Sequence, residues 1–299
     1  MFEKRTDLAL EVHELRGKDS GVSVSEEKKN GINVTVATVL KGEGEEISGK
    51  RAGKYITVDV GKIWRLDSQS FKNAAELIGD ELRALMPKMD GCILVAGLGN
   101  EQITPDSLGP RTVKRLLVTR HIRSIDRELF DTAEFGCLAA ISPGVLGQTG
   151  IETAEIIKSV SLSVKPCCII LIDSLASRRL GRLATTVQIS DNGISPGSGV
   201  SNRRAELTGE LLGAPIVSLG VPMVVDAATL AHDLLEEHYG GSDGDFAKDI
   251  EKILSGRGRE MFVTPKDNDI IADSVSKLLS SAINYAVHGM SPEETAEFL

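Results

Sequence analysis

Histidine and cysteine are scarce in this 299-residue chain, basic residues are outnumbered, and no apolar run approaches membrane-spanning length. Each shortage excludes something. The five histidines (His13, His121, His232, His238 and His288) show no His-x-x-x-His pair, which removes the usual basis for a histidine-built metal site. The four cysteines (Cys92, Cys137, Cys167 and Cys168) lack Cys-x-x-Cys spacing, so neither a zinc site nor a disulfide framework is expected. Three of them fall in apolar runs and read as buried, reduced thiols. With 34 Lys and Arg against 43 Asp and Glu, the net charge of −9 argues against nonspecific nucleic-acid binding. The absence of a long apolar segment excludes a spanning helix. Residues 1–12 are charged and contain no signal-peptide core, so the expected compartment is the cytoplasm.

What is present is ordinary in amount and specific in pattern. At 41% hydrophobic and 26% charged residues, the composition is that of a soluble globular protein with enough chain for a large core. The most informative stretch is Ile93-Leu-Val-Ala-Gly-Leu-Gly-Asn100 followed by Thr104-Pro-Asp-Ser-Leu-Gly-Pro110. It predicts a buried strand, a glycine turn and a helix, with Thr104 as cap and Pro105 in the first turn. Asp106 then stands at the carboxyl end of a strand, where ligands and chemistry collect in open α/β sheets. A second apolar run, Cys167-Cys-Ile-Ile-Leu-Ile-Asp173, ends in the same Asp-Ser-Leu triplet. If the two strands are neighbours, both carboxylates face one crevice. Two such carboxylates can divide the work of a base and an acid toward water. Taken singly, an aspartate in the first turn of a helix is most often a stabilising cap and one just after a strand is often only loop chemistry; the pairing is what favours catalysis.

The rest of the chain supports an α/β reading. Residues 31–39 and 54–60 predict strands joined by a hairpin-like connection. Residues 68–86 have helical spacing and are closed by Pro87. A helix over about 105–118, a strand at Leu138–Ile141, a helix from near Glu152 and a strand at 167–172 follow. Strands at Thr185–Ile189 and Pro215–Leu219, a helix over 225–237 and a last helix over 265–287 capped by Thr264 complete the pattern. Alternation from residue 92 onward predicts a doubly wound, mostly parallel sheet with flanking helices, extended by the N-terminal β-hairpin. The loop from Asp191 to Arg204 closes on two arginines, Arg203 and Arg204, and reads either as a solvated turn or as a binder of acidic groups.

In family order, the chain carries Arg5-Thr-Asp-Leu-Ala9, Val95-Ala-Gly-Leu-Gly-Asn100, Thr104-Pro-Asp-Ser-Leu-Gly-Pro110, Leu117-Val-Thr-Arg-His121 and the long run Pro143 to Thr153. Ile172-Asp-Ser-Leu-Ala176, Gln188-Ile-Ser-Asp-Asn-Gly-Ile194, Pro196-Gly-Ser-Gly-Val200, Gly220-Val-Pro222 with Val225-Asp-Ala227, and Val263-Thr-Pro-Lys266 follow. Together these resemble the germination (spore) proteases. The resemblance implies a fold similar to the hydrogenase-maturation endopeptidases. It also implies an atypical aspartic endopeptidase, without metal or other cofactor, that cleaves small acid-soluble spore proteins in the spore core at germination. Asp106 and Asp173 correspond to the catalytic pair. The family is made as self-processing zymogens. Here Asp7-Leu8-Ala9 resembles the substrate pattern, which places self-cleavage at Asp7–Leu8, with residues 1–7 as propeptide and 8–299 as one peptidase domain. A homotetramer is implied, with no direct nucleic-acid or membrane partner. Arg203 and Arg204 are the candidates for a cationic pocket beside the acidic residue. The region from about Tyr239 to Met261 is short for the family. Two rivals remain: a metal-dependent endopeptidase of the hydrogenase-processing type, and a noncatalytic phosphate- or nucleotide-binding α/β module using Gly97–Asn100. The second lacks both the Walker lysine and a complete G-x-G-x-x-G.

Overall fold

The computed structural model describes residues 6–17, 21–88, 90–194, 206–239 and 261–298. An antiparallel meander comes first, formed by β1 (Val22–Lys29), β2 (Ile32–Val39) and β3 (Gly53–Asp59). It is followed by β4 (Ile93–Gly97), β5 (Leu138–Ile141), β6 (Cys168–Ser177), β7 (Thr186–Ser190), β8 (Ile216–Asp226) and the two-residue β9 (Phe262–Val263). One sheet takes in all of them in the order β1-β2-β3-β7-β8-β6-β4-β5, with β9 on β8. Strand β6 is the sheet's apolar spine: Ile169 to Ile172 are completely buried, each side chain contributing about 1.5–3 kcal/mol by leaving water.

The α/β class stands, with one correction. Only β8, β6, β4 and β5 run parallel; every other pairing is antiparallel, so the sheet is mixed. The cause is connection length. Eight residues join β6 to β7, too few for the crossover that a parallel return demands. From β4 the chain moves out to β5, then returns past β4 to β6 and on to β8. Strand order therefore reverses between β4 and β6, and a crevice opens at the carboxyl ends of strands at such a point.

Helices cover both faces. Ser68–Leu85 and Asn268–His288 pack Ile78, Leu82, Val275 and Leu279 against Ile170, Ile172, Val187 and Val217. On the opposite face, Thr153–Val164 lays Ile157 against Leu94 and Leu171. The N-terminal helix Ala9–Arg16 seats Ala9 against Ala37 and Tyr55.

Several boundaries differ from those the sequence predicts. β1 is hidden in Val22-Ser-Val-Ser-Glu-Glu-Lys-Lys29, whose charged half belongs to a solvent-facing edge. The connection from β2 to β3 contains a short helix, Glu43–Ser48. The helix expected over 105–118 is a 3-10 turn, Thr104–Asp106, followed by Leu108–Val113. Pro105 does occupy the first turn, but the Thr104 hydroxyl donates to Asp269 (2.8 Å) rather than capping. The last helix starts at Asn268, beyond the reach of Thr264. Among the described residues no helix is long and apolar enough to cross a membrane.

All four thiols are free, and burial pushes those of Cys92 and Cys168 up to about 12, so neither is a thiolate at neutral pH. His288 is buried with Nε2 3.0 Å from the Leu117 carbonyl, against the edge of Phe135, while Nδ1 has no partner among the described residues. Desolvation holds its pKa below the ordinary 6.5. Its contribution to stability is therefore complete above about pH 6.5 and is lost as pH falls through the lower folded value. Thermal melts between pH 7 and 5 should fall less steeply for His288→Phe than for the parent chain.

Candidate active site

Asp106 follows β4 and Asp173 lies within β6, the two strands between which the sheet reverses. Gly97 pairs with Ile172, and the Leu98 N–H donates to the Ile172 carbonyl (2.8 Å), so β4 leaves the sheet level with the residue before Asp173. The chain then loops over residues 98–103, and the turn carrying Asp106 packs against β6 and β8. Asp106 thus stands beyond the carboxyl end of β4, and Asp173 lies one residue past that level on the neighbouring β6; adjacent strands lie about 4.8 Å apart. Asp173 differs from expectation in lying inside its strand, because β6 continues to Ser177.

The loop holding Asp106 is tightly built. Its Oδ2 accepts the Asn100 N–H at 2.8 Å. Gly99 has φ +109°, and a Cβ there would lie 1.9 Å from the Asp106 carbonyl oxygen. The Asn100 side-chain oxygen accepts from Gln148 Nε2 (2.7 Å), which ties the loop after β4 to the short helix Leu146–Thr149 that follows β5. Asp173 is 6% exposed, and its Oδ1 accepts the Ser174 N–H at 2.9 Å.

A transverse row links Asp173 to the N-terminus. Asp173 pairs with Gly220, and Gly220 pairs with Gln188 across β8 and β7, so the side chains of Asp173 and Gln188 share a face. The Gln188 carboxamide grips the first described residues: Oε1 accepts the Ala9 N–H (3.1 Å) and Nε2 donates to the Asp7 carbonyl (3.4 Å). Asp7 also lies along the free edge of β6. Its N–H donates to the Ala176 carbonyl, and its Oδ2 accepts the Ala176 N–H, each at 2.8 Å. Leu8 and Ala9 are completely buried. Lys50 Nζ donates to the Thr6 carbonyl (3.2 Å). Glu11, also fully buried, accepts the N–H groups of Arg178 (2.7 Å) and Arg179 (3.1 Å) and pairs with Arg182 (3.2 Å). The Asp7–Leu8 junction is thereby fixed three residues along the same strand from Asp173.

Among the described residues no cluster of three or more His, Cys, Asp or Glu side chains could hold a metal ion. A cleft of about 480 Å³ opens under the N-terminal helix, between Leu10, Glu14 and the β1–β3 strands, and neither Asp106 nor Asp173 lines it. Arg203 and Arg204 lie outside the described residues, as does most of the short region between 239 and 261.

A family model described as "Germination protease" matches residues 3–243. The chain belongs to the germination protease family. The germination protease of Caldanaerobacter subterraneus subsp. tengcongensis is 42% identical over 99% of this chain and 98% of its own. That of Clostridium acetobutylicum is 39% identical over 96% of both chains, and that of Bacillus subtilis is 34% identical over 97% of this chain and 95% of its own. Membership of the germination protease family makes the chain a peptidase. The point of strand reversal between β4 and β6 is then the first place to look for peptide-bond chemistry.

The contacts of three residues at the junction escape a reading of the sequence alone. Gln188 carries a faint signal, as a polar residue in the middle of the strand Thr186-Val-Gln-Ile-Ser190. Glu11 resembles any charged residue on a helix, and Lys50 falls in a Gly-rich, charged connection with nothing to distinguish it.

Proposed function

We propose that this chain is an aspartic-type endopeptidase made as a self-processing zymogen. Its substrates are the small acid-soluble proteins of the spore core, and it works as a homotetramer. Asp106 and Asp173 form the catalytic pair, and Asp7–Leu8 is the bond cut in cis, which makes residues 1–7 the propeptide and 8–299 the peptidase domain. The observation that carries the reading is that Asp106 follows β4 while Asp173 lies one residue beyond the level of that strand's end on the neighbouring parallel strand β6, at the reversal of the sheet, in a chain of the germination protease family. The ionised aspartate takes a proton from water as the oxygen attacks the scissile carbonyl. The protonated partner gives its proton to the departing amine, leaving a new carboxylate and a new N-terminus.

Mass spectrometry of the purified chain over time tests the reading. A new species beginning at Leu8 is expected, with unchanged yield in the presence of a chelator. A chelator-sensitive reaction would favour the metal-dependent rival, and cleavage at another bond would reject the Asp7–Leu8 assignment.

A further inference from the structure

Asp7 is held by its side chain as well as by its backbone. The Ala176 N–H donates to its carboxylate while the Asp7 N–H donates to the Ala176 carbonyl, so the carboxylate takes the place of a peptide carbonyl in a strand-like pairing. An asparagine oxygen could accept the same N–H bond. Only a cation nearby would distinguish the acid from its amide, and the side chain in reach is Lys50. Its ammonium donates to the carbonyl of Thr6, the residue before Asp7. Burial disfavours the charged form of Lys50, and the carboxylates of Asp7 and Glu11 support it. Glu11 is already engaged by the Arg178 and Arg179 N–H groups and by Arg182. Of the two carboxylates that support the Lys50 charge, Asp7 is the one that departs with the propeptide.

We propose that Lys50 is a specificity residue of the protease: it recognises the acidic side chain on the amino side of the scissile bond, first Asp7 in cis and then the corresponding acid of a peptide substrate. This rests on the assignment of Asp7–Leu8 as the self-cleavage bond. Removal of residues 1–7 strips Lys50 Nζ of the Thr6 carbonyl, the Ala176 N–H of the Asp7 carboxylate, and Gln188 Nε2 of the Asp7 carbonyl. What remains is the Lys50 amine, a strand-edge amide and a carboxamide in the arrangement that an incoming acidic residue and its backbone would restore.

A double-mutant cycle on the full chain tests this, with the appearance of the Leu8 terminus as the readout. Lys50→Met and Asp7→Asn should each slow processing by roughly 10- to 100-fold, the range expected for a lost charge-assisted contact. The double variant should be little slower than either single one, and Lys50→Arg should restore most of the rate. Melting curves establish that each variant is folded. In a second arm, the fully processed chain is given a peptide of residues 1–14 and its Asp7→Asn form. The parent should prefer the acidic peptide by roughly 10-fold or more in kcat/KM, and Lys50→Met should erase that preference. Independent, multiplying effects of the two substitutions in the cycle, or a preference that survives in Lys50→Met, would overturn the role of Lys50. Failure of the parent chain to produce a Leu8 terminus would overturn the self-processing assignment and this inference with it.

Discussion

Asp173→Asn and Asp106→Asn are each expected to stop processing at Leu8 and cleavage of a spore-protein substrate, lowering the rate by about 10³-fold or more while leaving the fold intact. The effect on chemistry should be large because an amide can neither take a proton from water nor donate an acidic one. The effect on structure should be small because asparagine keeps an acceptor oxygen at each site. In Asp106→Asn the side-chain oxygen still receives the Asn100 N–H, and in Asp173→Asn it still receives the Ser174 N–H. Unchanged melting with processing abolished in both variants is the outcome that assigns both residues. Near-normal processing in either variant removes that residue from the pair. Combining the two substitutions should add little to either alone, since residues that act as one unit lose their joint effect once.

The parts of this site legible in the sequence are those whose signals are local. A run of apolar residues, two glycines, a proline and an aspartate define β4, its turn and Asp106 within fourteen residues. A second apolar run gives β6 and Asp173. Even so, local preference ends β6 at Ile172, because an aspartate is disfavoured in a strand, while pairing with β8 carries the strand on to Ser177. The alternation of strands and helices predicts a mostly parallel sheet, since it does not reveal that β7 returns through a short turn. What is not legible is the grip on the N-terminus. Lys50 meets Thr6 across 44 residues and Gln188 meets Asp7 across 181, and no periodicity encodes pairs so far apart. Residue types around Asp7–Leu8 mark a bond to be cut, but nothing in them indicates that its flanking atoms are pinned to the strand that carries Asp173.

Gly99 provides the second large effect, through geometry and not chemistry. Gly99→Ala is expected to lower stability by about 2–4 kcal/mol and to slow processing by roughly 100-fold or more, although the residue has no side chain to contribute. Two causes combine. At φ +109° a non-glycine residue is strained in its own backbone. The added carbon would also sit 1.9 Å from the Asp106 carbonyl oxygen and 3.0 Å from its Oδ1. A backbone carbonyl cannot rotate aside as a flexible side chain can. The turn carrying Asp106 must therefore shift relative to β6, and a displacement on the order of 1 Å is enough to cost about 10²-fold in a catalytic arrangement. Gly147 is the matching control. It lies in the short helix Leu146–Thr149, and a methyl group added there would meet no atom within 4 Å. Gly147→Ala should therefore leave processing unchanged and raise stability by up to about 1 kcal/mol. Melting temperature and the rate of appearance of the Leu8 terminus, measured for both variants, separate the two cases. A Gly99→Ala chain that processes at the parental rate would mean that Asp106 need not be held where the β4 turn places it, and its role in the reaction would fall with that result.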